Sequence, residues 1–187
     1  SLSGKKDPAG AETMPSPVMC DIDSAGLLYL TDEHANVVAK FDSVSGESAG
    51  YWGTTGEAPG ELNGPSGIAL DADENIWVVS SLNHRVERFT RDGEHVSGFG
   101  GFGTEPGRLN YPWGVAIDRI TDTLIVADWR NDRVQRFSPD GELLQVIGSS
   151  GNGPGEMNRP SGVAVDSRGD IYVADRSNHR VLMFNPR

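Results

Sequence analysis

The chain has 187 residues, 36% of them hydrophobic, and a formal net charge of −11. That length can hold one domain with a sizeable core, and the hydrophobic content excludes a chain disordered by composition. The acidic balance disfavours a general nucleic-acid binder, the single cysteine, Cys20, excludes an internal disulfide, and no apolar run is long enough to span a bilayer.

In chain order, the first unit opens with "PVMCDID" (17–23) and continues with "LLYLT" (27–31). A third run starts near "ANVV" (35–38) and ends at Phe41; after "SGE" (45–47) a fourth ends in "YWG" (51–53). The second unit repeats the plan more clearly. It has "PSGIALD" (65–71), "IWVVS" (76–80), "NHRV" (83–86), a run ending at Phe89, a "DGE" turn (92–94) and "GFG" (98–100). The third has "PWGVAID" (112–118), "LIVAD" (124–128), Phe137, "DGE" (140–142) and "VIG" (146–148). The fourth has "PSGVAVD" (160–166), "IYVAD" (171–175), "NHRV" (178–181) and Phe184, and lacks a fourth run. Glycine-rich links, "PGELNGP", "PGRLNYP" and "PGEMNRP", join the units.

The opening prolines, Pro17, Pro65, Pro112 and Pro160, are 48, 47 and 48 residues apart. Runs of about five residues between Gly, Pro and Asp turn signals are strands. Four such strands per unit at this period make the blade of a β-propeller. The expected fold is therefore all-β, a propeller of four four-stranded blades forming one domain over 1–187. Blades fall near 17–64, 65–111, 112–159 and 160–187. Residues 1–16 are placed to complete the last blade, because Ser1–Gly4 precedes Pro17 by nearly the spacing at which "VIG" precedes Pro160. A closed four-bladed ring and a part of a larger propeller remain alternatives.

The segment "PSGVAVDSRGDIYVADRSNHRVLMF" (160–184) resembles the NHL repeat, with Val181 in the Leu position of the Asn-His-Leu motif. The resemblance covers 17–187 and is weakest in the first unit. It implies a β-propeller used for interaction, and it also admits two other classes, a metal-dependent propeller enzyme of the lyase or lactonase kind and an RNA-binding propeller.

Propeller topology sorts the polar residues by face. The turns between first and second strands carry Asp71, Asp73, Glu74, Asp118, Asp122, Asp166 and Asp170, joined by Asp92, Glu94, Asp140 and Glu142, and should form an acidic face. The opposite face carries Arg85, Arg108, Arg130, Arg159 and Arg176 with Tyr111, Trp113 and Trp129. Aromatic residues and arginine dominate binding hot spots, so this face is the expected ligand site. Asp128–Arg133 and Asp175–Arg180 are read as cross-strand ion pairs, and His84 and His179 as turn residues, since Asn36 and Asp132 occupy the same position in other units. In the second unit Ser80 replaces the Asp, which leaves Arg85 without that partner and free to bind.

A shared zinc site is disfavoured, because His84 and His179 lie on blades that are not neighbours and His34 and His95 fall elsewhere in the repeat. The links lack the Gly-Lys-Ser/Thr ending of a phosphate loop. The reading is thus a non-catalytic module that needs no metal or cofactor, with a protein, peptide or other polymer as partner. Self-assembly through unpaired blade edges is a further expectation, and nucleic acid is disfavoured. The compartment is left open, an extracytoplasmic one included.

Overall fold

The computed structural model describes residues 14–185. The first antiparallel sheet contains β1 (Pro17–Ile22), β2 (Leu27–Asp32), β3 (Val37–Asp42) and β4 (Ser48–Trp52) in sequence order. The second has β5 (Pro65–Leu70), β6 (Ile76–Ser80), β7 (Arg85–Phe89) and β8 (His95–Gly100). The third has β9 (Pro112–Asp118), β10 (Thr123–Asp128), β11 (Arg133–Phe137) and β12 (Leu143–Ile147). A short parallel pair, β13 (Ser149–Ser150) and β14 (Glu156–Met157), folds the next link back on itself. The last sheet has β15 (Pro160–Val165), β16 (Ile171–Asp175) and β17 (Arg180–Phe184). The fold is an all-β, four-bladed propeller arrangement. Ser1–Gly4, expected to supply a fourth strand to the last blade, lies outside the described residues.

The period-two alternation of a strand sends successive side chains to opposite faces. In a propeller both faces of an inner blade are covered, so the middle strands read as continuous apolar runs. All of Ile76–Ser80 and Thr123–Asp128 are buried. One core lies at each blade junction. Tyr29 and Val38 meet Ile76, Val78 and Phe89; Trp77 and Val86 meet Leu124, Val126 and Phe137; Ile125 and Val134 meet Ile171 and Val173. Each link contributes one buried apolar side chain, Leu62, Leu109 or Met157, to the same cores.

The "P-x-G" start of the first strand has a steric cause. A Cβ on Gly67 would sit 2.6 Å from the Trp113 carbonyl oxygen, and one on Gly114 would sit 2.4 Å from that of Ser161. Glycine there lets consecutive first strands approach backbone to backbone. β1 packs on β5, β5 on β9 and β9 on β15; among the described residues β15 and β1 are not packed on each other in this way. Among the described residues the four blades therefore form an arc in which the first and fourth lack the first-strand packing of the inner junctions.

Candidate binding face

The face is organised by the turn between the second and third strands. In three blades this is a single 3-10 turn, Ser81–Asn83, Trp129–Asn131 and Arg176–Asn178. The residue that follows is left-handed: His84 at φ 57°, Asp132 at 51° and His179 at 53°, with Asn36 at 57° in the first blade. Asn, Asp and His tolerate this backbone better than other side chains, which explains why these three alternate here.

The side chain at that position reaches across a blade junction. Asn36 Oδ1 accepts the Gly64 N–H at 2.8 Å, His84 Nδ1 accepts the Tyr111 N–H at 3.0 Å, and Asp132 Oδ1 accepts the Arg159 N–H at 2.7 Å. The donor always precedes the proline that opens the next blade, and it too is left-handed, at φ 57°, 50° and 56°. The residues agree in one property only, an acceptor atom at similar reach. Burial and then the charge of Arg130 hold the His84 imidazole below its usual pKa, against the opposing pull of Asp128. The neutral ring is the form that can accept from Tyr111.

The asparagine of the motif holds the preceding link. Asn83, Asn131 and Asn178 donate Nδ2–H to the carbonyls of Gly56, Gly103 and Gly151 at 2.8, 2.9 and 2.8 Å. The arginine does the same with its guanidinium. Arg133 reaches the carbonyls of Glu105 and Arg108, and Arg180 those of Asn152, Gly153 and Glu156. Their Nε–H groups meet Asp128 and Asp175, each at 2.8 Å. Both carboxylates are fully buried; Arg133 is buried as well, which makes Asp128–Arg133 an interior ion pair, while the Arg180 side chain is 31% exposed. Asp128 also accepts from the Asn110 N–H, Asn131 and Gln135 at 2.7, 2.8 and 3.1 Å. Burial nonetheless pushes its carboxyl above the ordinary range. Burial also pushes Asp175 upward, but the hydrogen bonds from the Asn158 N–H, Asn178 and Arg180 outweigh it and leave that carboxyl lowered.

Arg85 departs from the expectation of a free cation. It pairs with Glu87 two residues along the same strand, and its guanidinium also donates to the carbonyls of Glu57, Ala58 and Glu61. The carboxylate lost at Ser80 is replaced by the buried Glu87, which also meets His95 Nε2 at 2.8 Å. Ser80 Oγ takes over the remaining duty of the Asp by accepting the Asn63 N–H at 3.0 Å. Arg85 thus belongs to the framework of the second blade.

The other predicted residues divide into two groups. Arg130 lies over the Tyr111 ring at 4.1 Å and the Trp129 ring at 5.4 Å, and Arg159 lies over Trp129 at 4.5 Å. Trp113 stands 6.4 Å from Trp129, between ring centroids. These residues form one continuous ladder from the end of the second blade to the end of the third. Arg176 and Arg159 line a cleft of about 390 Å³ with Trp129, Asn158 and Ser177. Tyr111 and Trp113 line a second cleft of about 610 Å³, which extends to Glu33 and His34 of the first blade. Arg108 is not in the ladder; it lies along its own link and donates to the Gly100 carbonyl at 3.0 Å. The sequence reading missed Glu33, His34 and Glu87. Glu87 left a signal, an acid at a strand position filled by Ala39, Gln135 and Leu182 in the other units.

The opposite face is less acidic than its aspartates imply. Asp23, Asp71 and Asp166 each accept turn N–H groups, as Asx-type turns do. Arginines from neighbouring turns and strands offset them: Arg91 meets Asp23 at 2.5 Å, Arg88 meets Asp71 at 2.7 Å and Arg136 meets Asp118 at 3.2 Å.

Comparison with known proteins agrees with this construction. The family model "NHL repeat" matches residues 109–137 and 157–184. In a comparison with curated proteins, no sequence matches the chain. Among solved structures, virginiamycin B lyase from Staphylococcus aureus is 15% identical with a TM-score of 0.64, over 97% of this chain and 62% of that one. A protein of unknown function from Bacteroides caccae is 15% identical with a TM-score of 0.66, over 91% and 57%. Hydrazine synthase from Kuenenia stuttgartiensis is 13% identical with a TM-score of 0.64, over 96% and 51%. The chain spans about six-tenths or less of each, and at these identities the likeness is one of fold. Both matched segments fall on blades of the same plan, so the chain is a four-bladed β-propeller arrangement that carries NHL repeats at 109–137 and 157–184.

Proposed function

We propose that this chain is a non-catalytic interaction module whose arginine- and aromatic-bearing face binds a protein or peptide presenting acidic side chains. One observation carries the reading. The guanidiniums of Arg130 and Arg159 are stacked on aromatic rings, and neither meets a carboxylate among the described residues. Asn83, Asn131 and Asn178 and the arginines Arg85, Arg133 and Arg180 are spent on holding links; Arg130 and Arg159 are not. A guanidinium already held over a ring loses little freedom on binding, and its N–H fork matches a carboxylate. Arg176 adds a second exposed cation to the cleft that Arg159 lines. The chain is otherwise strongly acidic, so an acidic partner is repelled elsewhere and guided to this patch.

The fold neighbour named as a lyase does not transfer its chemistry, because a fold hosts many functions. The test is fluorescence anisotropy with a labelled Glu-rich peptide and its Gln counterpart. The parent chain should bind the Glu peptide, and Arg159→Ala with Arg176→Ala should weaken it by about tenfold or more, a change of about 1.4 kcal/mol. Equal binding by the parent and a folded double variant, or by the Glu and Gln peptides, would remove this assignment. Tighter, salt-sensitive binding of single-stranded RNA would favour the nucleic-acid alternative instead.

A further inference from the structure

Three positions on the candidate binding face change from blade to blade while the framework around them repeats. The two residues that follow the second strand are Glu33 and His34, Ser81 and Leu82, Trp129 and Arg130, then Arg176 and Ser177. The residue before the entry proline is Ser16, Gly64, Tyr111 and Arg159 in the same order. Along the face the chemistry therefore runs from an acid, through apolar and aromatic side chains, to arginines. The Glu33 carboxylate is exposed; it accepts the Ser16 hydroxyl at 3.0 Å and meets no cation among the described residues.

The cleft of about 610 Å³ lies in the middle of this series, with Leu82, Tyr111 and Trp113 as its large apolar side chains. Leu82 is 50% exposed. Gly64 leaves room for it, since a Cβ there would sit 3.0 Å from the Leu82 Cγ. Two serines of the second blade fasten the strand that carries Trp113. Ser66 Oγ donates to the Trp113 carbonyl at 2.8 Å, and Ser81 Oγ donates to the Pro112 carbonyl. Trp113 is thus presented on a backbone already tied down, which lowers the ordering cost of binding. Trp129 joins this cleft to the arginine cleft: its ring lies 6.4 Å from the Trp113 ring and 4.5 Å from the Arg159 guanidinium. About three residues of extended chain cover that span.

Resting on the acidic-partner reading of the arginine cleft, we infer that the cleft of Leu82, Tyr111 and Trp113 receives a large apolar side chain of the same peptide, about three residues from its acid. Glu33, on the first-blade side of that cleft, attracts a basic residue beyond the apolar anchor and repels an acid there. The partner segment is therefore ordered as acid, spacer, apolar anchor and base, and a segment acidic at both ends binds less well.

Fluorescence anisotropy with labelled Ser/Gly peptides tests this on the 187-residue chain. Each peptide carries two adjacent Glu and, three residues on, either Phe or Ser, and each is made in both chain directions. Phe should tighten binding about tenfold over Ser. Leu82→Ser should reduce that ratio without moving the affinity of the Ser peptide, and Trp113→Ala should abolish it, each with an unchanged circular dichroism spectrum. Lys rather than Glu on the far side of the Phe should bind the parent more tightly, and Glu33→Lys should reverse that order. Equal binding of the Phe and Ser peptides beside an intact preference for Glu over Gln overturns this inference alone, as does a ratio that survives Trp113→Ala. Loss of the Glu preference itself removes the acidic reading and this inference with it.

Discussion

The main-chain N–H of Tyr111 donates to Nδ1 of His84 across the junction of the second and third blades. This bond fastens the ring that supports Arg130 to the turn of the preceding blade, with the Tyr111 and His84 rings edge-on at 4.6 Å. The histidine therefore bears on the candidate binding face through the position it gives Tyr111.

His84→Asn should preserve the bond, since Asn36 does the same work one blade earlier. His84→Val should lose it and strain a left-handed backbone, at a cost of about 1–3 kcal/mol. The pH dependence follows from the lowered pKa. The folded state prefers the neutral ring, so this contribution is complete above the unfolded value of about 6.5 and is lost as pH falls through the folded one. Urea unfolding at pH 7 and pH 5 should show a drop in the parent that is smaller in His84→Asn.

The two solutions to one burial problem can be exchanged. Asp128→Ser alone should cost about 3–5 kcal/mol, because Arg133 is left inside the protein without its carboxylate. Adding Gln135→Glu reproduces the Ser80–Glu87 arrangement of the second blade and should recover more than about 1 kcal/mol of that loss. A thermodynamic cycle from denaturant titrations gives the coupling directly, and additive effects would show that the second blade depends on something besides the relocated charge.

Acid should act unequally on the equivalent aspartates. Asp175 is lowered, so its stabilising share is present above the unfolded value of about 3.9 and lost as pH falls through the folded value. Asp128 is raised, so the folded state favours its protonated form and stability falls as pH rises through that range. Asp175→Asn should therefore flatten the acid limb of the stability curve, while Asp128→Asn should steepen it, as measured by chemical denaturation between pH 3 and pH 6.

Gly114→Ala should destabilise by about 1–3 kcal/mol, because the added methyl meets the Ser161 carbonyl of the next blade. Gly162→Ala should stay within about 0.5 kcal/mol, since a Cβ there meets only the Ala174 Cβ at 3.8 Å. Thermal melts of the two variants make the comparison.

The blades were legible in the sequence because strand length, turn residues and the proline interval are local and repeat. The aromatic residues at 111, 113 and 129 were legible because they break that repeat. What Asn83, His84 and Arg85 do was not. Their partners in neighbouring links and blades lie 22 to 28 residues away, and a turn read by itself shows none of them. The reading of Arg85 failed for a related reason: Ser80 showed that a carboxylate had gone, while the replacement Glu87 sat in the strand where alternation alone placed it.

The second and third blades each carry one half of a junction bond at their entry and the other half in their central turn, whereas the entry N–H of the first blade, that of Ser16, is used within the blade by Asp32. Insertion of a whole unit therefore brings its own fastening at both ends, whereas an insertion of a few residues separates an acceptor from its donor. Genetic change along this chain is consequently tolerated in steps of one repeat, and the size of such a protein is set by counting units rather than by redesigning contacts.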